Sequence, residues 1–189
     1  ICNESIKKIN LTILDASCNE KITNVNHMTK LKKINASYSG ISDNGILNIN
    51  PKILNISNNI HITNINHMIN IETLDISSSS VICDYGIMKI NPKRLNINGN
   101  LNITDINHMT NLEELHVSYD TNLSNEGIKY LNLTKIIMDY NTTIKDISHM
   151  SKLEIISANE SKLTNDGVKN INPRYLRITN NEYIEDLNH

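Results

Sequence analysis

The sequence contains no phenylalanine and no tryptophan, and it has only three cysteines, three prolines and six glycines in 189 residues. Without the two large aromatic side chains, a buried core must be built from aliphatic residues, among which isoleucine is abundant. The cysteines, Cys2, Cys18 and Cys83, form no CxxC motif and no Cys/His cluster, which argues against a disulfide scaffold and against a zinc finger. Unpaired cysteines favour a reducing compartment, and we therefore expect a cytoplasmic location.

The chain also lacks an excess of charge of either sign. Its 18 Lys and Arg residues nearly balance its 20 Asp and Glu residues, and the formal net charge is −2. Such a balance gives no long-range attraction for nucleic acid or for an anionic membrane, so we expect neither as a partner. No apolar run is long enough to span a bilayer, and no signal-peptide pattern is present.

Motifs for catalysis and for cofactor binding are missing as well. The sequence has no Gly-x-Ser-x-Gly, no phosphate-binding glycine loop and no His-Glu-x-x-His. Carboxylates do occur close together, as at Glu113 and Glu114 or at Glu182, Glu185 and Asp186, but in positions that we expect to be exposed. Exposure leaves the pKa of a carboxyl near its ordinary value, which does not suit acid–base catalysis. We therefore expect neither an enzyme nor a bound cofactor.

What the sequence does contain is a repeat. The segment "TNVNHM" at 23–28 returns three times with small changes, and its histidine recurs at intervals of 40 or 41 residues. A second motif of the type "SDNGI" lies about midway between successive copies, so each repeat divides into two half-units of 20 or 21 residues. The recurring histidines are His27, His67, His108, His149 and His189.

Both half-units share the template L-x-x-L-x-L-x-x-N. Its central x-L-x-L-x segment alternates with period two, which predicts a short strand with the apolar residues facing inward. Strands of successive coils should pair in parallel, so that Leu54, Leu74, Leu95 and Leu115 lie side by side in one row. We expect residues 1–189 to form a single array of about nine coils. Because the sequence begins at Ile1 and ends within a repeat, we expect the array to belong to a longer chain.

This template resembles the leucine-rich repeat, whose period is 20 to 29 residues. Half-units with "SDNGI" or "TNDGV" look like the cysteine-containing subtype of F-box substrate adaptors, and those with "TDINHM" look like the shorter subtype of phosphatase regulators and internalins. The alternation of the two is similar to repeat proteins of amoebae and their giant DNA viruses, which would place a viral protein inside the host cell. The resemblance implies an α/β solenoid shaped as a horseshoe, with parallel strands on the concave face and turns, 3₁₀ segments and short helical turns on the convex face.

The last template position predicts a ladder of buried polar side chains. An Asn amide there can donate to and accept from the backbone where the chain turns away from the sheet. In the alternate half-units, Ser39, Ser79, Asp120 and Ser161 would take this place. On the convex side, Ser42 or Asp43 would cap a helical turn that runs to Ile49. The ladder residues are Asn19, Asn59, Asn100, Asn141 and Asn181.

The repeated histidines could in principle bind a metal, but their spacing argues against it. A zinc ion needs three or four ligands about 2 Å away, whereas equivalent residues two coils apart are separated by about 10 Å. We therefore expect no metal site, and we expect each histidine either to hydrogen-bond a neighbouring backbone carbonyl or simply to be solvated. The second template position alternates in charge, for example at Lys52 and Glu72, and we expect these pairs to align successive coils.

The concave face is the predicted binding surface, because each coil presents solvent-facing side chains there. Tyr and Arg, which often dominate interface energetics, are among them. We expect the chain to bind a protein partner, for example as the substrate-recognition part of an F-box adaptor that contacts a Skp1-like protein through a domain outside this chain. The alternative is a structural array without one dedicated ligand. The predicted contact residues are Lys33, Asn35, Tyr38, Arg94, Asn96, Glu114, His116, Tyr119, Lys135, Ile137, Tyr140, Tyr175 and Arg177.

Overall fold

The computed structural model of the chain describes residues 1–78 and 80–186. Within these residues the chain forms nine short strands, each at the x-L-x part of one template. The middle residue of each strand points into the interior, and the first and third residues face solvent except Ser157, which is buried. The strands are β1 (Ile13–Asp15), β2 (Lys33–Asn35), β3 (Ile53–Asn55), β4 (Thr73–Asp75), β5 (Arg94–Asn96), β6 (Glu114–His116), β7 (Lys135–Ile137), β8 (Ile155–Ser157) and β9 (Tyr175–Arg177).

The strands build one parallel sheet. In the described residues their order is β1 to β9 without interruption, so each coil pairs with the next one along the chain. Leu54 pairs with Leu74, and Leu95 pairs with Leu115, within one continuous row. The predicted leucine-rich-repeat solenoid is therefore confirmed, as is the single row of inward-facing leucines.

Two coils contain one residue more than the others, and the structure places this residue after the strand. The step between inward residues is 20 positions from Leu54 to Leu74 but 21 from Leu74 to Leu95, as the strand register shows. After β6, Asp120 is exposed and Thr121 is buried in its stead, so the assignment of Asp120 to the ladder was wrong. After β4, Ser80 is the buried residue, and the predicted Ser79 lies outside the described residues.

Side chains at the last template position bridge neighbouring coils. Asn59 donates from Nδ2 to the carbonyl oxygens of Ala36 (3.0 Å) and Ile41 (3.1 Å), and its Oδ1 accepts from the amides of His61 (2.8 Å) and Ile62 (3.0 Å). Equivalent bonds are made by Asn19, Asn100, Asn141 and Asn181. Asn59, Asn100 and Asn141 are fully buried, whereas the two terminal ones are partly exposed.

The convex side alternates between two kinds of segment, as the two half-unit types predict. The "NHM" halves form turns, in which the amide of Met28 donates to the carbonyl of Val25. The other halves form one helical turn each within the described residues. These turns are α1 (Asn3–Ile6), α2 (Asp84–Ile87) and α3 (Asn125–Ile128), with 3₁₀ turns at Asp43–Gly45 and Asp166–Val168.

The residue that opens each of these turns links it to the following coil. Asp43 does not cap its own turn, contrary to expectation, and that turn ends at Gly45 rather than at Ile49. Its carboxylate instead accepts the backbone amide of Thr63 at 2.8 Å and the Thr63 hydroxyl at 2.6 Å. Asp84 makes the same bonds in the next repeat. The acidic residue of the "SDNGI" motif therefore fixes the position of the next "TNINHM" segment.

Glycine in the same motif packs against the preceding coil. A Cβ atom built on Gly45 would overlap the carbonyl oxygen of Thr23. This close approach lets the amide of Val25 donate to the carbonyl of Gly45 at 2.9 Å. The equivalent glycines, Gly86, Gly127 and Gly167, meet the same obstacle. Each "DNG" segment is thus held between two "NHM" segments, one on either side, which explains why the two half-unit types alternate.

The recurring histidines hold coils together in the same region. Nε2 of His67 lies 3.0 Å from the carbonyl oxygen of Ile46 in the preceding coil. His27, His108 and His149 make the equivalent bond at 3.0, 3.1 and 3.2 Å, while His189 lies outside the described residues. The repeated histidine is a connector between coils, as predicted.

We expect His67→Ala to lower the free energy of unfolding by about 0.5–1.5 kcal/mol, since it removes one partly buried hydrogen bond. His61→Ala is the matched control, because the His61 side chain is exposed and its backbone amide bonds to Asn59 regardless of the side chain. Urea titration followed by circular dichroism compares the two variants. Equal losses in both would contradict the role assigned to His67.

The interior is an unbroken aliphatic column along the stack. Its side chains are mainly Ile and Leu, with one Met from each "NHM" segment, and most have no exposed surface. Among the described side chains, no buried nitrogen or oxygen atom lacks a hydrogen-bond partner. The helical turns are short, and none in the described part of the chain could cross a membrane.

Candidate protein-binding surface

The concave face is the side of each coil that carries the strand, and it is not occupied by the hydrogen bonds that join the convex segments of neighbouring coils. Five of the predicted contact residues, Lys33, Arg94, Glu114, Lys135 and Tyr175, occupy the first position of a strand. Asn35, Asn96, His116, Ile137 and Arg177 occupy the third position. The structure therefore brings these ten residues to one face, and it places Tyr38, Tyr119 and Tyr140 three residues beyond a strand, along one edge of that face.

In the first five coils, the third strand position has a structural task. The side chain there accepts the amide of the residue two positions later at 2.9–3.1 Å, and the accepting residues are Asp15, Asn35, Asn55, Asp75 and Asn96. The donating residue is a serine in the first four coils and Asn98 in the fifth. Such Asx turns direct the chain out of the sheet. The side chains that hold these turns, including the predicted Asn35 and Asn96, are consequently committed to their own coil.

From β6 onward this task moves to another position. Oδ1 of Asn98 accepts the amide of Ser118 in the next coil at 2.7 Å, and Oδ1 of Asp139 accepts the amide of Asn159 at 2.8 Å. The third strand position no longer holds the turn there, and it carries His116, Ile137 and Arg177. The face therefore departs from its own repeat pattern in the second half of the array.

A charged cluster lies at the centre of this second half. Oε1 of Glu114 is 2.7 Å from Lys135 Nζ and 2.7 Å from His116 Nε2. Partial burial acts to raise the pKa of the Glu114 carboxyl, but the hydrogen bonds from Lys135 and His116 outweigh it, so the pKa lies below its usual value. The cluster is thus a preformed polar centre with an ionised carboxylate.

Beside this cluster is a shallow depression in the sheet surface. Arg94 bonds the hydroxyl of Thr73 through Nε (3.2 Å) and Nη2 (3.0 Å), and Asn96 donates to Asp75 at 3.1 Å. These four residues line the depression together with Glu114 and His116. On the other side of the cluster the surface is more apolar, with Ile137, Ile155 and Tyr175 on adjacent strands.

Several surface residues were missed by reasoning from residue type. Ile13, Ile53, Thr73, Asp75 and Ile155 occupy the same strand positions as the predicted set, and Ile13 is 63% exposed. The template itself contained the signal, since every first and third strand position should have been included. The predicted set included Asn35, Asn96 and Ile137 but did not apply the template to every strand, and it therefore left out these members of the face.

The edge with the tyrosines has an unusual backbone. Three residues after each strand in the described part of the chain, φ is positive, between 50° and 65°. Asn and Gly adopt this left-handed conformation readily, but for other residues it costs about 1–2 kcal/mol. Three coils nevertheless place tyrosine there. The residues of this column are Cys18, Tyr38, Asn58, Ser78, Gly99, Tyr119, Tyr140, Glu160 and Asn180.

Two of these tyrosines form a stack. The rings of Tyr119 and Tyr140 are 5.5 Å apart between centroids and nearly parallel, with 4° between their planes. They are 59% and 45% exposed, so the stack is not part of the core. The negative charge of Glu160 raises the pKa of the Tyr140 hydroxyl, with smaller contributions from desolvation and from other neighbours.

Charge is distributed unevenly between the two ends of the strands. The leading edge, which comprises the last two residues before each strand and its first residue, is mostly cationic. The trailing edge, from the last strand residue through the left-handed column to the ladder position, is mostly acidic. Leading-edge charges are Lys32, Lys33, Lys52, Glu72, Lys93, Arg94, Glu113, Glu114, Lys135, Glu154 and Arg174. Trailing-edge charges are Asp15, Asp75, Asp120, Asp139, Glu160 and Arg177.

Some leading-edge charges pair across coils. Lys52 Nζ lies 2.5 Å from Glu72 Oε1, and Arg174 Nε lies 4.0 Å from Glu154 Oε2. The hydrogen bond from Lys52, followed by its positive charge, lowers the pKa of Glu72. Both pairs are solvent-exposed, and such pairs contribute only about 0–1 kcal/mol. That they align neighbouring coils stays a prediction.

The sequence contains metal-binding and acidic groups that could form chemical centres, and the structure places them as follows. In residues 1–78 and 80–186, no three His, Cys, Asp or Glu side chains lie close enough to hold a metal ion. Glu182, Glu185 and Asp186 are exposed at the end of the described chain. The three cysteines are free thiols, and two of them are exposed.

Taken together, the parallel sheet, the buried asparagine ladder and the two convex segment types define a leucine-rich-repeat solenoid with an open concave face. No protein-family model matches the chain, and no curated protein sequence does either.

Solved structures with this fold include internalins from Listeria monocytogenes. Internalin C2 is 20% identical, with a TM-score of 0.63 over 85% of this chain and 78% of that one. InlF is 14% identical, with a TM-score of 0.64 over 100% of this chain and 65% of that one. The functional domain of InlJ, which includes a cysteine ladder, is 22% identical, with a TM-score of 0.63 over 94% of this chain and 41% of that domain. At these identities the similarity shows the fold.

Proposed function

We propose that this chain is a protein-interaction module and that it binds its partner through the second half of the concave face, from β5 to β9. One observation carries the proposal most directly. On β6, β7 and β9, His116, Ile137 and Arg177 replace the Asx residues that hold the turns in the first five coils. Side chains released from a structural task are available for contacts, and Tyr and Arg beside them are frequent interface anchors.

The uneven charge specifies the chemistry of the partner. From β5 to β9 the leading edge keeps a small excess of positive charge, which favours acidic groups, and the acidic trailing edge favours basic ones. The leading-edge charges there are Lys93, Arg94, Lys135 and Arg174 against Glu113, Glu114 and Glu154. The partner is therefore a protein whose surface carries both signs, separated across the width of the strands. Complementary charge of this kind mainly accelerates association and selects among partners, and it weakens as salt screens it.

A titration with charge-reversal variants tests the proposal. Proteins captured from an extract of the source organism are purified singly and titrated against the wild type and against Arg94→Glu combined with Lys135→Glu. We expect the dissociation constant to rise about tenfold or more. Lys89→Glu combined with Lys169→Glu is the control, since it makes the same charge change at exposed positions outside the strands. If every captured protein lost affinity equally for both double variants, or for neither, the concave face would not be the binding surface.

A more specific form of the proposal is the substrate-recognition part of an F-box adaptor in the cytoplasm. It is supported by the helical turns at "CDYGI" and "SNEGI", which suit the cysteine-containing subtype, and by the exposed free thiols, which suit a reducing compartment. It requires a segment outside this chain that binds a Skp1-like protein. Co-purification of the full-length protein with such a partner tests it, and absence of the partner from every preparation would remove this form.

The alternative is a structural array without a dedicated ligand. What supports it is the density of bonds between coils on the convex side, where Asp43, Asn66, His67 and their equivalents join neighbouring coils. Under this alternative, no purified protein would bind saturably to the wild type in the titration described above.

A further inference from the structure

We infer that the trailing edge contains a recognition slot for one arginine side chain of the partner, formed where Gly99 leaves the ring of Tyr119 uncovered. This inference rests on the proposed function and specifies one contact within it. The slot is built from three consecutive members of the left-handed column, Ser78, Gly99 and Tyr119.

The slot exists because the column loses its side chain at one coil. Gly99 has φ +64°, as its neighbours do, but it presents no Cβ. A Cβ atom added there would meet only Ser78 Cα, at 3.8 Å, which is an ordinary van der Waals distance, so the space is open. Ser78 is also small. Tyr119 stacks on Tyr140 with one ring face, and its other face is directed toward this gap.

A planar group fits the slot best. Successive coils are separated by about 4.8 Å, and the ring spacing of 5.5 Å between Tyr119 and Tyr140 is close to this repeat. A flat side chain from the partner, lying over Gly99, would continue the stack by one layer.

Charge decides between an aromatic ring and a guanidinium group. Asp120 lies next to Tyr119 in the sequence, Asp75 lies in the coil before Gly99, and no Lys or Arg occurs from 96 to 102 or from 117 to 123. The face of a tyrosine ring attracts cations, and arginine stacks on it while its charge faces the carboxylates.

Four matched libraries of displayed random peptides test the slot, with one central residue fixed as Arg, Lys, Gln or Phe. We expect the Arg library to yield binders of the wild-type protein that are about three- to thirtyfold tighter than those of the other libraries. Gly99→Asn should remove this advantage, because its side chain fills the slot. Asn58 and Asn180 show that asparagine accepts this backbone conformation, so the variant should fold. Asn180→Gly makes the reverse exchange outside the slot and should leave binding unchanged.

The outcomes separate the slot from the proposed function. Peptides that lose affinity for Arg94→Glu combined with Lys135→Glu, but not for Gly99→Asn, would overturn the slot and leave the concave face as the binding surface. A Phe, Lys or Gln library that equals or exceeds the Arg library would also overturn the arginine assignment. If no library gave binders sensitive to either variant, the slot and the proposed function would both be wrong.

Discussion

Gly86→Ala is expected to destabilise the protein strongly, by about 3 kcal/mol or more, at or beyond the upper end of typical overpacking costs. The added methyl group would overlap the carbonyl oxygen of Thr63 and lie 2.8 Å from Ile82 Cγ1. A backbone carbonyl cannot rotate away as a flexible side chain can. The two coils would have to separate, which would also stretch the hydrogen bond from the amide of Ile65 to the carbonyl of Gly86 (3.0 Å).

Urea unfolding followed by circular dichroism measures this effect. The control is Gly99→Asn, because Gly99 has open space around it and asparagine tolerates its positive φ. We expect the control to stay within about 0.5 kcal/mol of the wild type. A Gly86→Ala variant as stable as the control would show that the "DNG" segments do not need close contact with the preceding coil.

Asn59→Ala is expected to lower the free energy of unfolding by about 1–3 kcal/mol. It would leave the carbonyl of Ile41 and the amides of His61 and Ile62 without their partner, whereas the carbonyl of Ala36 would keep the bond from the Ser39 hydroxyl. These groups are inside the stack, where the loss of a hydrogen bond is costly because water does not replace it.

The same substitution at Asn19 provides the comparison, since Asn19 holds the equivalent position in the first coil but is partly exposed. In the described part of the chain, Oδ1 of Asn19 accepts one hydrogen bond, from the amide of Lys21 at 3.0 Å. Thermal melting should therefore show a clearly larger shift for Asn59→Ala than for Asn19→Ala. Shifts of equal size, or none in either variant, would contradict a ladder that depends on burial.

The strands could be predicted because their signal is local. Alternation of apolar and polar residues fixes a strand within a few positions, and the repeat fixes which residues of successive strands are neighbours. Leu54, Leu74, Leu95 and Leu115 are found in one row for this reason. The convex turns followed from the spacing of apolar residues in the same way.

The hydrogen-bond partners of Asp43 could not be predicted, because its carboxylate can either cap its own helical turn or bond a residue of the next coil. An Asp before a helical turn usually caps that turn, and nothing in the local sequence shows that Thr63, twenty residues later, competes for the carboxylate. The shift from Asp120 to Thr121 has a similar cause. One extra residue can be accommodated anywhere in a turn, and only packing decides which side chain is buried.

The tyrosine stack and the slot beside it also could not be predicted from the sequence. Positive φ is usually signalled by Gly or Asn, yet this column holds six other residues among nine, so its common backbone is not visible in the residue types. The sequence did place Tyr38, Tyr119 and Tyr140 beside the binding face. It gave no sign that the first is isolated while the other two are in contact.

The stacking of parallel coils in one register is tested most directly by distances between spin labels on the strands. Ile13 and Arg94 are four coils apart, Ile13 and Tyr175 are eight coils apart, and all three side chains are exposed. With Cys2, Cys18 and Cys83 replaced by serine, cysteines at these positions carry the labels. Pulsed electron paramagnetic resonance should give about 19 Å for the first pair and somewhat less than about 38 Å for the second, the curvature of the face shortening the longer distance. Similar distances for the two pairs would contradict the solenoid and everything inferred from its concave face.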